Sequence, residues 1–466
     1  MAAYDLVIRD VEAVLPASGR TACDIAIRDG QIAAILLPGS SVEASEILDG
    51  KGLVALPGVI DCHLHLGHGK DISRPREPKD ADVETASAAL GGVTCMIPFL
   101  MSSEPHAADF GEVKAVTEAG ARIDFGYHFI ISTEAQLAEV PDYISKFGAP
   151  TLKIFMNNRG GEGKRLNLPD IDDGFLFRLA EAAAQHGGMV APHPENIEIA
   201  WVLRDRAMKA DPDGQAGLAS WDASRPDFVE AEAVQRASYV ANVAGAPLYV
   251  VHTSSAAALE AGLARRDAGD EIYFETCPHY LTHDITDPIG EVAKINPPLR
   301  SRDDCERLWQ AIEEGDIDTV ATDHVHRDIS SKANGIWAAS PGCPGMETLL
   351  PVMLTEGYHG RGIPLERLVE VLSETPARLM GLDVRKGTLS VGKDADIVLL
   401  DLNAEWTLTR DKVASSAGYS IYEGKTFKGA IQHTFVRGHT VVRDGNLTET
   451  SAGIGRYQHR KLGFRG

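Results

Sequence analysis

Short apolar runs separated by turn residues open the chain, and a different texture replaces them after residue 53. Runs at 4–8, 11–15, 24–28 and 31–36 are divided by Ser-Gly and Asp-Gly pairs, and the Asp29-Gly30 pair between the last two marks a hairpin. These segments predict an antiparallel β unit. From residue 53 the pattern becomes strand, loop, helix, repeated. Continuous apolar runs at 53–60, 93–99, 123–131, 151–156, 189–193, 248–252, 271–276 and 318–322 read as buried strands. Helical periodicity fills most of the gaps, at 81–90, 110–119, 175–186, 227–244, 256–268 and 302–313. Eight strands alternating with helices predict a (β/α)8 barrel. A doubly wound open sheet is the alternative, but no Gly-rich phosphate loop follows the first strand.

Beyond a helical stretch at 366–381 the β texture returns, at 386–389, 394–402, 431–437 and 440–443, with turns at Arg437-Gly438-His439 and Asp444-Gly445. Residues 1–55 and 383–446 are therefore expected to form one discontinuous β-sandwich domain flanking a barrel of residues 56–382. The remainder, 447–466, reads as a tail whose basic end, from Arg456, is mobile or touches another subunit.

Composition narrows the class. The 466 residues are 44% hydrophobic and 6% aromatic, values of a globular protein. A formal charge of −22 argues against a nucleic-acid or anionic-membrane partner. Six scattered cysteines without a CxxC pair fit reduced thiols rather than a disulfide framework. The N-terminus lacks an apolar signal segment, and no run approaches the ~18 apolar residues of a membrane span. A cytoplasmic location is expected.

Chemistry is sought at the C-terminal ends of barrel strands. The first strand leads into Asp61-Cys62-His63-Leu64-His65, where alternate side chains share a face, so both imidazoles project together. Such a pair suits a divalent ion such as zinc, although two rim histidines are the plainer reading of HxH alone. Lys153 lies inside the fourth strand, His193 and His252 end the fifth and sixth, and Asp323 follows the eighth. A lone strand-end histidine is ordinarily a hydrogen-bonded rim residue, and a lone aspartate ordinarily caps a helix. Lys153 is harder to set aside, because an unpaired ammonium in an apolar strand is costly. Either a buried Lys–Glu pair neutralises it, or CO2 converts it to a carbamate, an anionic oxygen ligand able to bridge two metal ions. Coincidence at five strand ends is the less economical reading.

The segments 57–65, 152–156, 193–196, 252–255, Glu275-Thr276-Cys277-Pro278, Asn296-Pro297-Pro298-Leu299-Arg300, Thr322-Asp323-His324 and 342–348 resemble the cyclic-amide branch of the amidohydrolase superfamily. That branch holds hydantoinases and dihydropyrimidinases, with allantoinases and dihydroorotases as relatives. The resemblance implies a binuclear centre, usually zinc, with manganese as an alternative. It places His63, His65 and Asp323 on one ion, His193 and His252 on the other, and a carboxylated Lys153 between them. It further implies a homo-oligomer, a tetramer or dimer. The expected activity is hydrolysis of a small cyclic amide, imide or ureide by a metal-bridging hydroxide, with Asp323 shuttling the proton.

Three substrate-facing positions depart from the hydantoinase pattern. Asn158 stands where the family places a Tyr that donates to the oxyanion, and loss of such a donor costs about 2.7–4 kcal/mol. Asn296 replaces a Ser, and Pro341-Gly342 replaces Asn-Gly. The reaction type is thus expected to persist with a changed ring. Dihydroorotase-like members carry an Arg two residues beyond HxH, where this chain has Gly67; Arg74, Arg76 or Arg159 could supply a cation from elsewhere. The loop from Gly67 to Pro78 has no assigned role. His68, His128, His279 and His324 read as supporting residues. A non-enzymatic scaffold is disfavoured because all six ligand positions survive, and an acyclic amidase remains an enzyme alternative.

Overall fold

The computed structural model describes residues 3–16 and 18–463. Its centre is a curled parallel sheet of Val59–His65, Val93–Leu100, His128–Ile130, Thr151–Phe155, Met189–His193, Leu248–Val250, Ile272–Thr276 and Thr319–Val320. A last segment, His324–Val325, pairs with the first strand through His324↔Leu64 and Val325↔His65 and closes the ring. Every residue of Val59–His65 and Val93–Leu100 is buried, as expected of strands covered on both faces. This is the expected TIM barrel with helices outside.

Strand boundaries differ from expectation where a glycine or the barrel's curvature intervenes. The run at 53–60 is two strands, Val54–Pro57 and Val59–His65, separated at Gly58. A Cβ on Gly58 would lie 2.0 Å from the Thr94 hydroxyl, so only glycine lets the chain pass there from one sheet to the other. The HxH pair consequently lies within the first barrel strand rather than beyond it. The run at 123–131 breaks into Asp124–Phe125 and His128–Ile130, and residues 386–389 form no strand. Two helices, Ile197–Ala210 and Leu218–Ser224, occupy the long connection after Met189–His193.

The other sheet has nine strands and draws on both chain ends. Val54–Pro57 pairs in parallel with Tyr4–Leu15 on one side and antiparallel with Ile397–Thr407 on the other. Buried Lys386 joins the two sheets: its ammonium lies 2.7 Å from Asp124, 3.1 Å from Asp394 and 2.6 Å from Asp396.

The basic tail is not a loose end over its described residues. Arg460 is fully buried and donates to the carbonyls of Met380 and Tyr127 and to the Thr151 hydroxyl. Tyr457 bridges to Phe125, and Leu462 is buried. A guanidinium that satisfies buried carbonyls explains why a charged segment packs inward. Residues 464–466 lie outside the described residues. No helix among those described is long and apolar enough to cross a membrane.

Candidate active site

One cavity at the C-terminal mouth of the barrel is lined by His63, His65, Lys153, His193, His252 and Asp323, together with Asn158 and Asn296. The residues proposed from strand ends are thus brought together. His63 Nε2 lies 3.2 Å and His65 Nε2 3.5 Å from Asp323 Oδ1. Opposite them His193 Nδ1 and His252 Nε2 are 2.8 Å apart, and the rings of His63 and His252 are 5.3 Å apart.

Backbone and supporting side chains hold this arrangement. Asp323 sits in the break between Thr319–Val320 and His324–Val325 with φ 47°, and His252 follows Leu248–Val250 with φ 42°. Left-handed backbone at a non-glycine residue costs about 1–3 kcal/mol and gathers at functional sites. Buried Asp61 locks the eighth strand to the first: it accepts the Thr322 N–H at 3.0 Å and the Thr322 hydroxyl at 2.6 Å. Asp323 is thereby set beside His63 and His65.

Two buried carboxylates orient the histidines. Glu275 faces His63 Nδ1 at 2.6 Å, and Glu195 faces His193 Nε2 at 2.6 Å. The opposite ring nitrogen of each is turned to the cavity, the arrangement by which carboxylates fix metal-binding imidazoles. Arg225 neutralises Glu195 at 2.8 Å. Neither carboxylate was singled out from sequence; Glu275 belongs to a recognised segment, and Glu195 lies two residues past a strand-end histidine, the signals available for finding them.

Charge is distributed unevenly. Burial pushes His63 down, but Glu275 outweighs it with help from Asp323 and holds the imidazole above its ordinary value. Burial lowers His65 to about 4 and His252 well below its usual range. Burial alone would raise Asp323, yet His63 and His65 hold its carboxyl well below the carboxylate range. Burial brings Lys153 down to about 8, against the pull of Asp323 and Glu275.

Lys153 is fully buried, and its Nζ has no hydrogen-bond partner. The amine lies over aromatic faces, 4.7 Å from the centroid of Phe99 and 5.5 Å from that of Phe155. The Lys–Glu pair considered above is absent among the described residues. His63 Nε2 and His252 Nδ1 also lack hydrogen-bond partners, and His63 Nε2 meets Asp323 Oδ1 as a 3.2 Å ion-pair contact. A buried set of imidazole and carboxylate donors with unmet valence fits divalent ions of the zinc class. The other carboxylate groupings do not fit so well. Asp124, Asp394 and Asp396 surround Lys386, and Asp80 of the His68–Glu77–Asp80 group caps a helix.

The remaining histidines and arginines find separate work. His128 stacks on Phe99 and reaches the Cys62 carbonyl at 2.9 Å, while His324 stands 3.2 Å from Glu84. His68 pairs with Asp80 at 3.0 Å, and buried His279 packs against Tyr280. Arg74 pairs with Asp109, Arg76 with Asp71, and Arg159 with Asp173. At Gly67 a Cβ would lie 1.9 Å from the Asp71 carbonyl oxygen, because residues 68–71 fold back on the strand end. An arginine there would have to displace this turn.

Comparison with known proteins agrees with this geometry. Residues 251–441 match the amidohydrolase family. An L-hydantoinase of Paenarthrobacter aurescens is 33% identical over 98% of both chains, and an allantoinase of Rubrobacter xylanophilus is 34% identical over 97% of both. The crystal structure of a dihydropyrimidinase from Brevibacillus agri superposes with a TM-score of 0.88 at 30% identity, covering 98% of each chain. A barrel whose mouth gathers strand-end histidines, a buried lysine and Asp323 thus has relatives over nearly its whole length, and the chain belongs to the amidohydrolase family, as a hydrolase of its cyclic-amide branch.

Proposed function

We propose that the cavity holds two divalent ions and hydrolyses a C–N bond within a small cyclic amide, imide or ureide. The observation that carries this reading is the convergence of two histidine pairs, Asp323 and an unpartnered buried Lys153 in one cavity. His63, His65 and Asp323 would hold one ion, His193 and His252 the other, with Lys153 as a carbamate shared between them. When bound, such ions supply Lewis acidity and an activated water near neutral pH.

The chain's residues then have distinct tasks. A lysine held near 8 keeps a larger share of neutral amine than an ordinary lysine, and only that form adds to CO2, releasing one proton as the carbamate forms. The Asp323 carboxylate accepts the proton of the attacking water and returns it to the ring nitrogen as the C–N bond breaks. Asn158 and Asn296 line the same cavity and offer amide donors to a developing oxyanion or to the ring. Asn158 in place of the family's Tyr donor, with Asn296 in place of its Ser, supports a ring different from the usual hydantoinase substrate. The allantoinase relatives make opening of the allantoin ring the second reading. The close packing at Gly67 speaks against a dihydroorotase-type clamp at that position.

The test is a screen of hydantoin, dihydrouracil, allantoin and succinimide with zinc- and manganese-loaded protein. Ring opening of at least one, abolished by chelation, is expected. A fully loaded protein inert towards all of them but active on linear amides would favour an acyclic amidase.

A further inference from the structure

A second cavity adjoins the first and shares Ile72, Met101, Leu166 and Arg327 with it. Beyond that shared wall its lining is basic: Lys70, Arg74 and Arg76 join Arg327, against the single carboxylate of Asp71. On a chain of formal charge −22, this is a local reversal of sign at the approach to the site. Arg76 pairs with Asp71 at 2.7 Å and Arg74 with Asp109. Lys70 is exposed and has no carboxylate within ion-pair distance among the described residues; Asp328 acts on it only from farther off. Arg327 donates to the Pro341 carbonyl at 2.9 Å, which fixes it at the boundary between the two cavities.

We propose that this outer cavity is a subsite for an anionic substituent, so that the favoured substrate is a cyclic amide or ureide carrying a carboxyalkyl arm. The proposal rests on the ring-opening reading above and narrows its substrate class. With the ring at the histidines and Lys153, an arm leaving the inner cavity passes Ile72, Met101 and Leu166. That collar suits a short hydrocarbon stem. Past it, the arm meets Arg327, whose guanidinium suits a carboxylate, with Lys70 at the rim. Basic walls around a mouth also focus the field and raise the local concentration of anions. A neutral substituent would meet the same collar but gain nothing from the cations.

The experiment compares two rings of nearly equal shape, hydantoin-5-acetate and hydantoin-5-acetamide, on the metal-loaded enzyme. The acetate is expected to have the higher kcat/KM, by about tenfold or more and through KM. That ratio should fall towards one in Arg327→Gln, recover partly in Arg327→Lys, and shrink in Lys70→Gln. It should also shrink as salt rises from about 0.05 to about 0.5 M. Equal efficiency for the two rings, or a preference that survives loss of Arg327, would overturn the subsite. If neither ring is opened while another cyclic amide is, or if none is opened at all, calorimetric binding of the same two compounds decides. Tighter binding of the acetate, lost in Arg327→Gln, sustains the subsite, and equal binding removes it. Failure of the ring-opening reading would show separately, as inertness towards every ring.

Discussion

Glu275 Oε1 lies 2.6 Å from His63 Nδ1, and the same oxygen accepts the His252 backbone N–H at 2.8 Å. One carboxylate therefore orients a histidine from each half of the cavity. Its other oxygen accepts the Tyr249 hydroxyl at 2.8 Å, so the carboxylate is held from three directions. A proton on His63 Nδ1 leaves Nε2, the nitrogen facing Asp323, with its lone pair free for an ion.

Glu275→Gln keeps the shape of this contact but removes its charge. Metal affinity is expected to fall by about 10–100-fold with secondary structure unchanged. Competition with a graded chelator measures it, and wild-type affinity in the variant would mean that Glu275 serves packing alone.

Lys153→Ala removes the amine from which the proposed shared carbamate would form. Elemental analysis should find at least one ion missing per chain, and short carboxylic acids should restore part of the activity. Full occupancy in this variant would count against a bridging carbamate.

Asp323→Asn retains a side chain of the same shape but cannot take up a proton. Metal content is expected to stay near wild type while kcat falls by about a hundredfold or more, the range of general acid–base catalysis. Steady-state kinetics beside metal analysis separates this outcome from simple loss of the ion.

Gly67→Arg tests the steric account of the loop that follows HxH. The new Cβ would collide with the Asp71 carbonyl and Ile72, displacing a wall of both cavities. A loss of about 1–3 kcal/mol of stability is expected, as for other overpacked sites, visible as a lower Tm. An unchanged Tm would mean that the loop swings away at little cost.

The barrel, and the gathering of six candidate residues at its mouth, were legible from sequence because strand-end position and residue type carry independent information. An apolar run marks a buried strand, and although a single strand-end histidine or aspartate has an ordinary structural explanation, the recurrence of such residues on five strands of one barrel does not. The supporting residues were not legible in this way. Glu275 and Asp61 lie within buried strands, where only a partner from a distant strand explains a carboxylate, and periodicity cannot name that partner. The break at Gly58 was hidden because an apolar run looks the same whether it serves one sheet or two. Arg460 misled for a related reason. A basic segment near the end of the sequence reads as mobile or subunit-contacting until the carbonyls of Met380 and Tyr127 are seen to need a donor.

Four histidines, Lys153 and Asp323 are proposed to form a two-ion centre that opens a cyclic amide. It is tested most directly by titrating metal-stripped protein with zinc in the presence of bicarbonate while following ring opening of the best substrate from the screen. Activity is expected to be absent without metal, to rise with added ion and to level off at two ions per chain. Turnover undiminished in the stripped protein, or a plateau at one ion that Lys153→Ala leaves unchanged, would contradict it.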